Sequence, residues 1–249
     1  MVFVNPGGPG ASAIDDVSLR GSSYQAIVGT NYDIVAYEPR GIGYSVPLAT
    51  CATSTPPEQL RKRTLYQPYG PRLPSKFYQD EYTFTHDLGA ACAAAIGGPT
   101  GIGRHMSTAI VVRDAISILN AYAASSYSAG VTNPSYFNFW GFSYATVIGQ
   151  TFAMMFPNRV GRFVLDGAND AEDYYSATGE KNIYLADNAF STFFTYCSKA
   201  GNNPTTGCAF STGSTPQAIF QRFEKIVLRL DAKRLSKRIG PTKRPFTQV

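Results

Sequence analysis

The chain has 249 residues, 44% hydrophobic and 16% charged, so it can bury a core and is neither disordered nor fibrous. Its net charge of +5 comes from six Lys and Arg residues among the last 17; without them, basic residues no longer outnumber the 17 acidic ones. No apolar run approaches the ~18 residues of a membrane span, and residues 1–5 lack the basic flank and the length of a secretory signal.

The first two predicted elements are short buried strands. Met1 to Val4 is an apolar run that stops at residues 5–10, a turn rich in glycine and proline that we call the glycine loop. Tyr32 to Tyr37 predicts a second strand, which also ends in a loop containing glycine, residues 38–43. The repetition predicts parallel strands whose loops lie at one edge of a sheet.

A surface excursion and two helices are predicted next. Residues 49–75 are rich in Thr, Pro and charge and predict the excursion, and Phe77 to Ile96 predicts a helix. Ser107 or Thr108 is the expected N-cap of the following helix, because apolar residues recur at helical spacing after it.

The next part of the chain predicts a strand, a helix and a strand. The strands are Tyr136 to Trp140 and Arg162 to Leu165, and the helix between them is Ala145 to Phe156. Because strands and helices alternate along the chain, we expect an α/β fold with a mostly parallel sheet flanked by helices.

The last third of the chain no longer alternates between predicted strands and helices. Ala171 to Phe210 is aromatic-rich helical sequence, either a lid over a pocket or a helical layer, and Gln217 to Leu230 predicts one more helix. We therefore expect three segments: a core over 1–170, a helical lid or cap over 171–232, and a disordered basic tail over 233–249. The tail is either a nucleic-acid or membrane-binding segment or solvated sequence, and the lack of interleaved aromatic residues favours the second.

Ser143 is the predicted nucleophile. It lies between a predicted strand and a predicted helix, and the small residues Gly141 and Ala145 flank it at two positions on either side. A tight strand-to-helix turn needs small residues there because the two backbones approach each other closely. We call residues 141–145 the elbow.

Acyl transfer also needs hydrogen-bond donors for the developing oxyanion. The main-chain NH groups of Tyr144 and Gly8 are the expected donors, and Gly7, Pro9 and Arg40 are expected to shape or brace that wall. A phosphate-binding loop is the alternative for the glycine loop; it is disfavoured because no Lys-Ser/Thr pair follows and Pro9 has no NH group.

The base and the acid of a triad are not evident. Both histidines, His86 and His105, precede Ser143 in the chain. In a triad built on a strand-to-helix nucleophile elbow, the chain order is instead serine, acid, histidine. His105 is the candidate base, with a surface or capping histidine as the alternative; Asp166 is the candidate acid, with a structural turn as the alternative. The acidic group Asp170, Glu172 and Asp173 either attracts the amino terminus of a substrate or solvates its loop, and we favour solvation.

The four cysteines, Cys51, Cys92, Cys197 and Cys208, allow three pairings, and a metal site is not expected because none shows the paired spacing of zinc ligands. Cys197 and Cys208 enclose a loop rich in Gly, Asn, Pro and Thr, which favours a disulfide-closed turn over two separate buried thiols. No metal or organic cofactor is expected.

Four motifs, in this order and spacing, resemble the secreted tripeptidyl-aminopeptidase and proline-iminopeptidase branch of the α/β-hydrolases. They are residues 5–12 (NPGGPGAS), 32–45 (YDIVAYEPRGIGYS), 141–150 (GFSYATVIGQ) and 156–167 (FPNRVGRFVLDG). The resemblance covers about residues 1–232 and implies an α/β-hydrolase fold and a secreted serine exopeptidase that cleaves near a substrate's amino terminus. It also implies the disulfides Cys51–Cys92 and Cys197–Cys208.

The chain departs from that family at two positions and at both ends. Glu38 stands where the family usually has Asp, and Ala145 where it usually has Gly. The signal and early strands, and the later segment that carries the catalytic Asp and His, have no counterpart, so we expect a fragment lacking both. The expected partner of this monomer is a peptide or small ester substrate; the alternatives are an inactive truncated hydrolase, a binding module, or an esterase or lipase.

Overall fold

The structure, a computed structural model, describes residues 1–51, 75–211, 213 and 215–232. The predicted basic tail and most of the predicted excursion lie outside these residues. The described residues belong to two compact units, divided after residues 52, 86 and 182. Residues 1–51 and 87–182 form the first unit, and the second contains residues 75–86 and the described residues from 183 to 232.

A parallel sheet forms the centre of the first unit. Its strands are β1 (Val2–Asn5), β2 (Ile34–Val35), β3 (Phe137–Phe142) and β4 (Val160–Asp166). They are hydrogen-bonded in the order β2-β1-β3-β4, and every pair is parallel. The expected α/β fold with loops at one sheet edge is therefore confirmed, and that edge holds both the glycine loop and the elbow.

The described residues also form eight α-helices, distributed over the two units. They are α1 (Ala13–Val28), α2 (Ser75–Ile96), α3 (Thr108–Ala123), α4 (Ala145–Met155), α5 (Ala171–Tyr175), α6 (Glu180–Ile183), α7 (Ala186–Ala200) and α8 (Pro216–Ala232).

The core of the first unit lies on both faces of the sheet. On one face, side chains of α3 and α4 pack with the strands, and Leu119, Phe139 and Phe152 are almost fully buried there. On the other face, Tyr24 of α1 packs beside Trp140, with ring centroids 5.4 Å apart. A parallel sheet covered on both faces holds its strand ends firmly, so the loops at its edge have a rigid base.

Three local expectations need correction. Helix α1 was not expected, because it buries only Ala13, Asp16 and Tyr24 and so shows little apolar periodicity. Strand β2 spans two residues and not six, because only Ile34 and Val35 pair with β1. Ser107 is the N-cap of α3 by position, but its side chain makes no capping hydrogen bond.

The second unit contains a pair of packed helices, α7 and α8. Phe194 and Cys197 of α7 and Ile219 of α8 form its buried centre, and the disulfide Cys197–Cys208 ties the end of α7 to the loop that follows. The disulfide Cys51–Cys92 lies in the first unit, so both expected pairings are present. None of the described helices has the length and apolar character to cross a membrane.

Candidate active site

Ser143 lies at the sharp turn between β3 and α4. Its φ of +54° is in the left-handed region, which costs a residue with a side chain about 1 to 2 kcal/mol. Its NH group donates to the main-chain oxygen of Asp166 (2.9 Å), and its own carbonyl accepts from the NH (2.9 Å) and the hydroxyl (2.6 Å) of Thr146. These contacts hold the strained turn and leave the exposed Ser143 hydroxyl at the sheet edge.

The structure explains why the elbow has small residues. A Cβ at Gly141 would lie 2.5 Å from the ring of Phe139 and 2.8 Å from the main-chain oxygen of Ala145, closer than real contacts allow. Ala145 itself is fully buried, and its methyl group is accommodated. Position 141 therefore needs glycine, whereas position 145 accepts one methyl group.

The glycine loop packs directly against the elbow. Gly7 has a φ of +88°, and a Cβ there would lie 2.3 Å from the main-chain oxygen of Phe142 and 2.9 Å from the nitrogen of Tyr144. The NH group of Gly7 donates to the side-chain oxygen of Asn5 (2.9 Å), which is 2% exposed. The structure thus brings together two segments that are more than 130 residues apart in sequence.

The predicted oxyanion donors are the main-chain NH groups of Gly8 and Tyr144. Within the described part of the chain, neither the NH of Gly8 nor that of Tyr144 donates to an acceptor. Tyr144 lies at the N-terminal end of α4, where the helix dipole favours negative charge. Main-chain NH groups without a partner are the kind of donor that an oxyanion requires. Pro9, exposed at the loop surface, follows Gly8.

Arg40 braces the neighbouring loop. Its guanidinium makes two hydrogen bonds to the carboxylate of Asp114 in α3, at 2.7 and 2.6 Å. The hydrogen bonds and the charge of Asp114 raise the pKa of Arg40. Arg40 therefore ties the loop after β2 to α3, and the structure shows it bound to that helix.

Glu38 holds the beginning of α1, directly after the glycine loop. Its carboxylate accepts from the hydroxyl of Ser12 (2.5 Å) and from the NH of Ala13 (3.3 Å). Ser12 is the N-cap of α1 and also accepts from the NH of Asp15. A carboxylate at this helix end is favourable because it faces unpaired NH groups.

Among the described residues, no general base engages Ser143. Its hydroxyl makes no hydrogen bond with any described residue. His105 is exposed in a short 3-10 helix, Ile102–His105, and His86 of α2 stacks on Tyr82 with ring centroids 6.1 Å apart. Asp166 contributes its main-chain carbonyl to the elbow, and its side chain is exposed.

Tyr144 anchors the elbow through its side chain. Its hydroxyl lies 2.8 Å from that of Thr108, and its ring packs against Tyr174 at 5.3 Å. Burial raises the pKa of Tyr144, partly offset by the hydrogen bond with Thr108. A neutral phenol therefore lies beside the serine and adds no charge to the site.

The acidic residues after β4 make hydrogen bonds and ion pairs within the protein. Asp170 caps α5 by accepting from the NH of Asp173, and Lys181 pairs with Asp170 (3.1 Å) and Glu172 (3.3 Å). The carboxylate of Asp173 accepts from the hydroxyl of Thr178 and from the NH groups of residues 180 and 181. In the described residues, no group of three or more His, Cys, Asp or Glu side chains is placed to hold a metal ion.

Sequence reasoning missed two supports of the site. Asn5 fixes the glycine loop, and an Asn two residues before the NH that it binds is a turn signal that could have revealed it. Thr146 and Gln150 join α4 to the loop after β4: the hydroxyl of Thr146 accepts from the NH of Asn169, and Gln150 donates to the Asn169 carbonyl. No local pattern reveals this second network, because its partners come together only in the fold.

Comparison with known proteins finds relatives among serine hydrolases. The chain is 27% identical over 203 residues to "Serine protease Hip1" of Mycobacterium tuberculosis, which covers 82% of this chain and 36% of that protein. It is 26% identical over 187 residues to "Tripeptidyl aminopeptidase" of Streptomyces lividans, which covers 73% of this chain and 31% of that protein. It is also 39% identical over 75 residues to "Carboxylesterase B" of Mycobacterium tuberculosis, which covers 28% and 14%.

The chain spans about a third of the length of the two curated peptidases that it matches. No protein-family profile matches it.

Proposed function

We propose that this chain carries the nucleophile and the oxyanion site of a serine exopeptidase. The proposal rests on the α/β-hydrolase fold and on relatives that are serine hydrolases and peptidases. The observation that carries the proposal is the left-handed φ of the exposed Ser143, held between β3 and α4 with Gly7 packed against its turn. A strained serine at a strand-to-helix turn is the arrangement of a nucleophile elbow.

The proposed chemistry is acyl transfer through Ser143. Its hydroxyl attacks a carbonyl carbon, and the oxyanion that forms accepts hydrogen bonds from the NH groups of Tyr144 and Gly8. Both proposed donors are main-chain groups, and the nitrogen of Tyr144 lies where Gly7 packs against the elbow, so little reorganisation is needed during the reaction. Removal of one such donor costs about 3 kcal/mol in other serine hydrolases.

The proton of Ser143 needs an acceptor outside this arrangement. Because no described residue bonds to the hydroxyl, we propose that the base and its acid come from sequence beyond these 249 residues. The relatives are long enough to contain such a segment. An oxyanion site without a base keeps only a small part of the rate acceleration, so the 249-residue chain should hydrolyse substrates near the background rate.

The proposed substrate is a peptide with a free amino terminus, because a relative that covers 73% of this chain is named a tripeptidyl aminopeptidase. Ester hydrolysis is the second candidate, and the short but more similar match to a carboxylesterase favours it. The two disulfides support secretion, since such bonds persist in oxidising compartments.

The test compares the 249-residue chain with the protein translated from the full reading frame that encodes it. We expect a fluorophosphonate probe to label the full protein, Ser143→Ala to abolish labelling, and Ser117→Ala to leave it unchanged. Ser117 is a matched control because it is an exposed serine on α3.

Substrate class is read from two assays on the full protein. We expect turnover of tripeptide p-nitroanilides with a free amino terminus; turnover of p-nitrophenyl esters alone would replace the peptidase proposal with the esterase. Strong labelling of the 249-residue chain that His105→Ala removes would overturn the proposal of an external base.

A further inference from the structure

The second unit contains a cavity between α7 and α8, and none of its lining residues belongs to the elbow. Its volume is about 380 Å³, within the range of small-molecule sites. Its lining includes Asp187, Phe190, Ser191, Phe194 and Thr195 of α7, and Gln217 and Phe220 of α8.

Three phenyl rings form the apolar part of the wall. Phe194 meets Phe190 and Phe220 edge to face, with ring centroids 5.0 and 5.2 Å away. Phe194 is 3% exposed and therefore fixed, whereas Phe190 is 46% exposed and offers ring surface to a ligand. An apolar body of the size of a phenyl group suits this wall.

The polar groups of α7 that line the cavity accept hydrogen bonds or carry negative charge, and Gln217 of α8 adds a neutral amide that can donate or accept. The hydroxyls of Ser191 and Thr195 donate to main-chain carbonyls of their own helix, so only their lone pairs remain for a ligand. The exposed carboxylate of Asp187 has no cationic partner among the described residues, and no Lys or Arg lines the cavity. Asp187 is therefore the one charged residue in the lining, and its negative charge favours a cation.

We propose that this cavity binds a small organic cation with an apolar body, of the arylalkylammonium class. The ammonium group pairs with Asp187, and the body packs among Phe190, Phe194 and Phe220, whose ring faces also attract positive charge. Asp187 lies in the first turn of α7, where the helix dipole stabilises a negative charge. Stabilisation of the helix alone would not require a ligand. The proposal is independent of the peptidase proposal, because none of these residues belongs to the elbow.

The test titrates the full chain with three probes that share one ring and differ in charge: 2-phenylethylammonium, 2-phenylethanol and 3-phenylpropanoate. Binding is followed by calorimetry and by shifts of the NMR signals of α7 and α8. We expect the ammonium ion to bind at least about fivefold more tightly than the alcohol, and the carboxylate to bind most weakly. Added salt should weaken the binding of the ammonium ion, leave the alcohol unchanged and reduce the repulsion of the carboxylate.

Variants separate the charge from the rings. Asp187→Asn should remove the preference for the ammonium ion, while Glu224→Gln, which removes an exposed carboxylate of α8 outside the cavity, should not. Phe190→Leu keeps apolar volume without a ring and should weaken the ammonium ion more than the alcohol. Equal binding of the three probes, no saturable binding, or unchanged selectivity in Asp187→Asn would each overturn the proposal.

Discussion

Gly7 and Phe142 lie so close together that a Cβ on Gly7 would be 2.3 Å from the main-chain oxygen of Phe142. The contact joins the loop after β1 to the turn after β3, because Asn5 and Gly141 are partners across the two strands. The serine and the expected oxyanion donor of Gly8 therefore depend on one contact that only glycine permits.

The first prediction concerns this contact. Gly7→Ala should lower the free energy of unfolding by more than about 2 kcal/mol, because the methyl group adds a main-chain clash to the cost of a left-handed residue. Urea unfolding measures the change. Gly10→Ala is the matched control: its φ is also positive, at +111°, but no atom lies within 4 Å of the added Cβ. Equal losses in the two variants would show that backbone strain alone matters.

The second prediction measures the strain at Ser143. In an ordinary helix, exchanging Ala for Gly costs about 1 kcal/mol, and we expect that loss between Ser117→Ala and Ser117→Gly in α3. Between Ser143→Ala and Ser143→Gly the loss should vanish or reverse, because glycine adopts a φ of +54° without strain. Thermal unfolding of the four variants gives both differences; a full loss at position 143 would contradict the strained elbow.

The third prediction concerns the link between Glu38 and Ser12. A double-mutant cycle of Ser12→Ala and Glu38→Ala should give a coupling energy of about 1 kcal/mol, because the carboxylate accepts the Ser12 hydroxyl at the start of α1. Additive losses, measured by urea unfolding, would mean that the two side chains act separately.

The fourth prediction concerns acid stability. Hydrogen bonds to the carboxylate, the largest from Thr178, lower the pKa of Asp173 below its ordinary value. A lowered pKa adds stability above the unfolded-state pKa of about 3.9, and that stability is lost as the pH falls through the folded pKa. Asp173→Asn should therefore reduce the melting temperature at pH 7 and make less difference as the pH falls below 4. A loss that stays constant down to pH 2 would contradict this account.

The elbow and the parallel sheet follow from local rules, which is why the sequence predicts them. Gly141 and Ser143 carry a steric requirement that acts within one turn of chain, and such requirements are visible in sequence. Helix α1 escapes notice because few of its side chains are buried, although Ser12 with Asp15 three residues later is a capping signal. The short β2 and the Asn169 network depend on partners distant in sequence, so no local pattern encodes them.

Ser143 is positioned by a peptide carbonyl of residue 166, and any amino acid supplies that group. Natural substitution at 166 can therefore change the chemistry of the adjacent exposed side chain without moving the serine. The backbone fixes the proposed nucleophile, and the side chain at position 166 is free to vary.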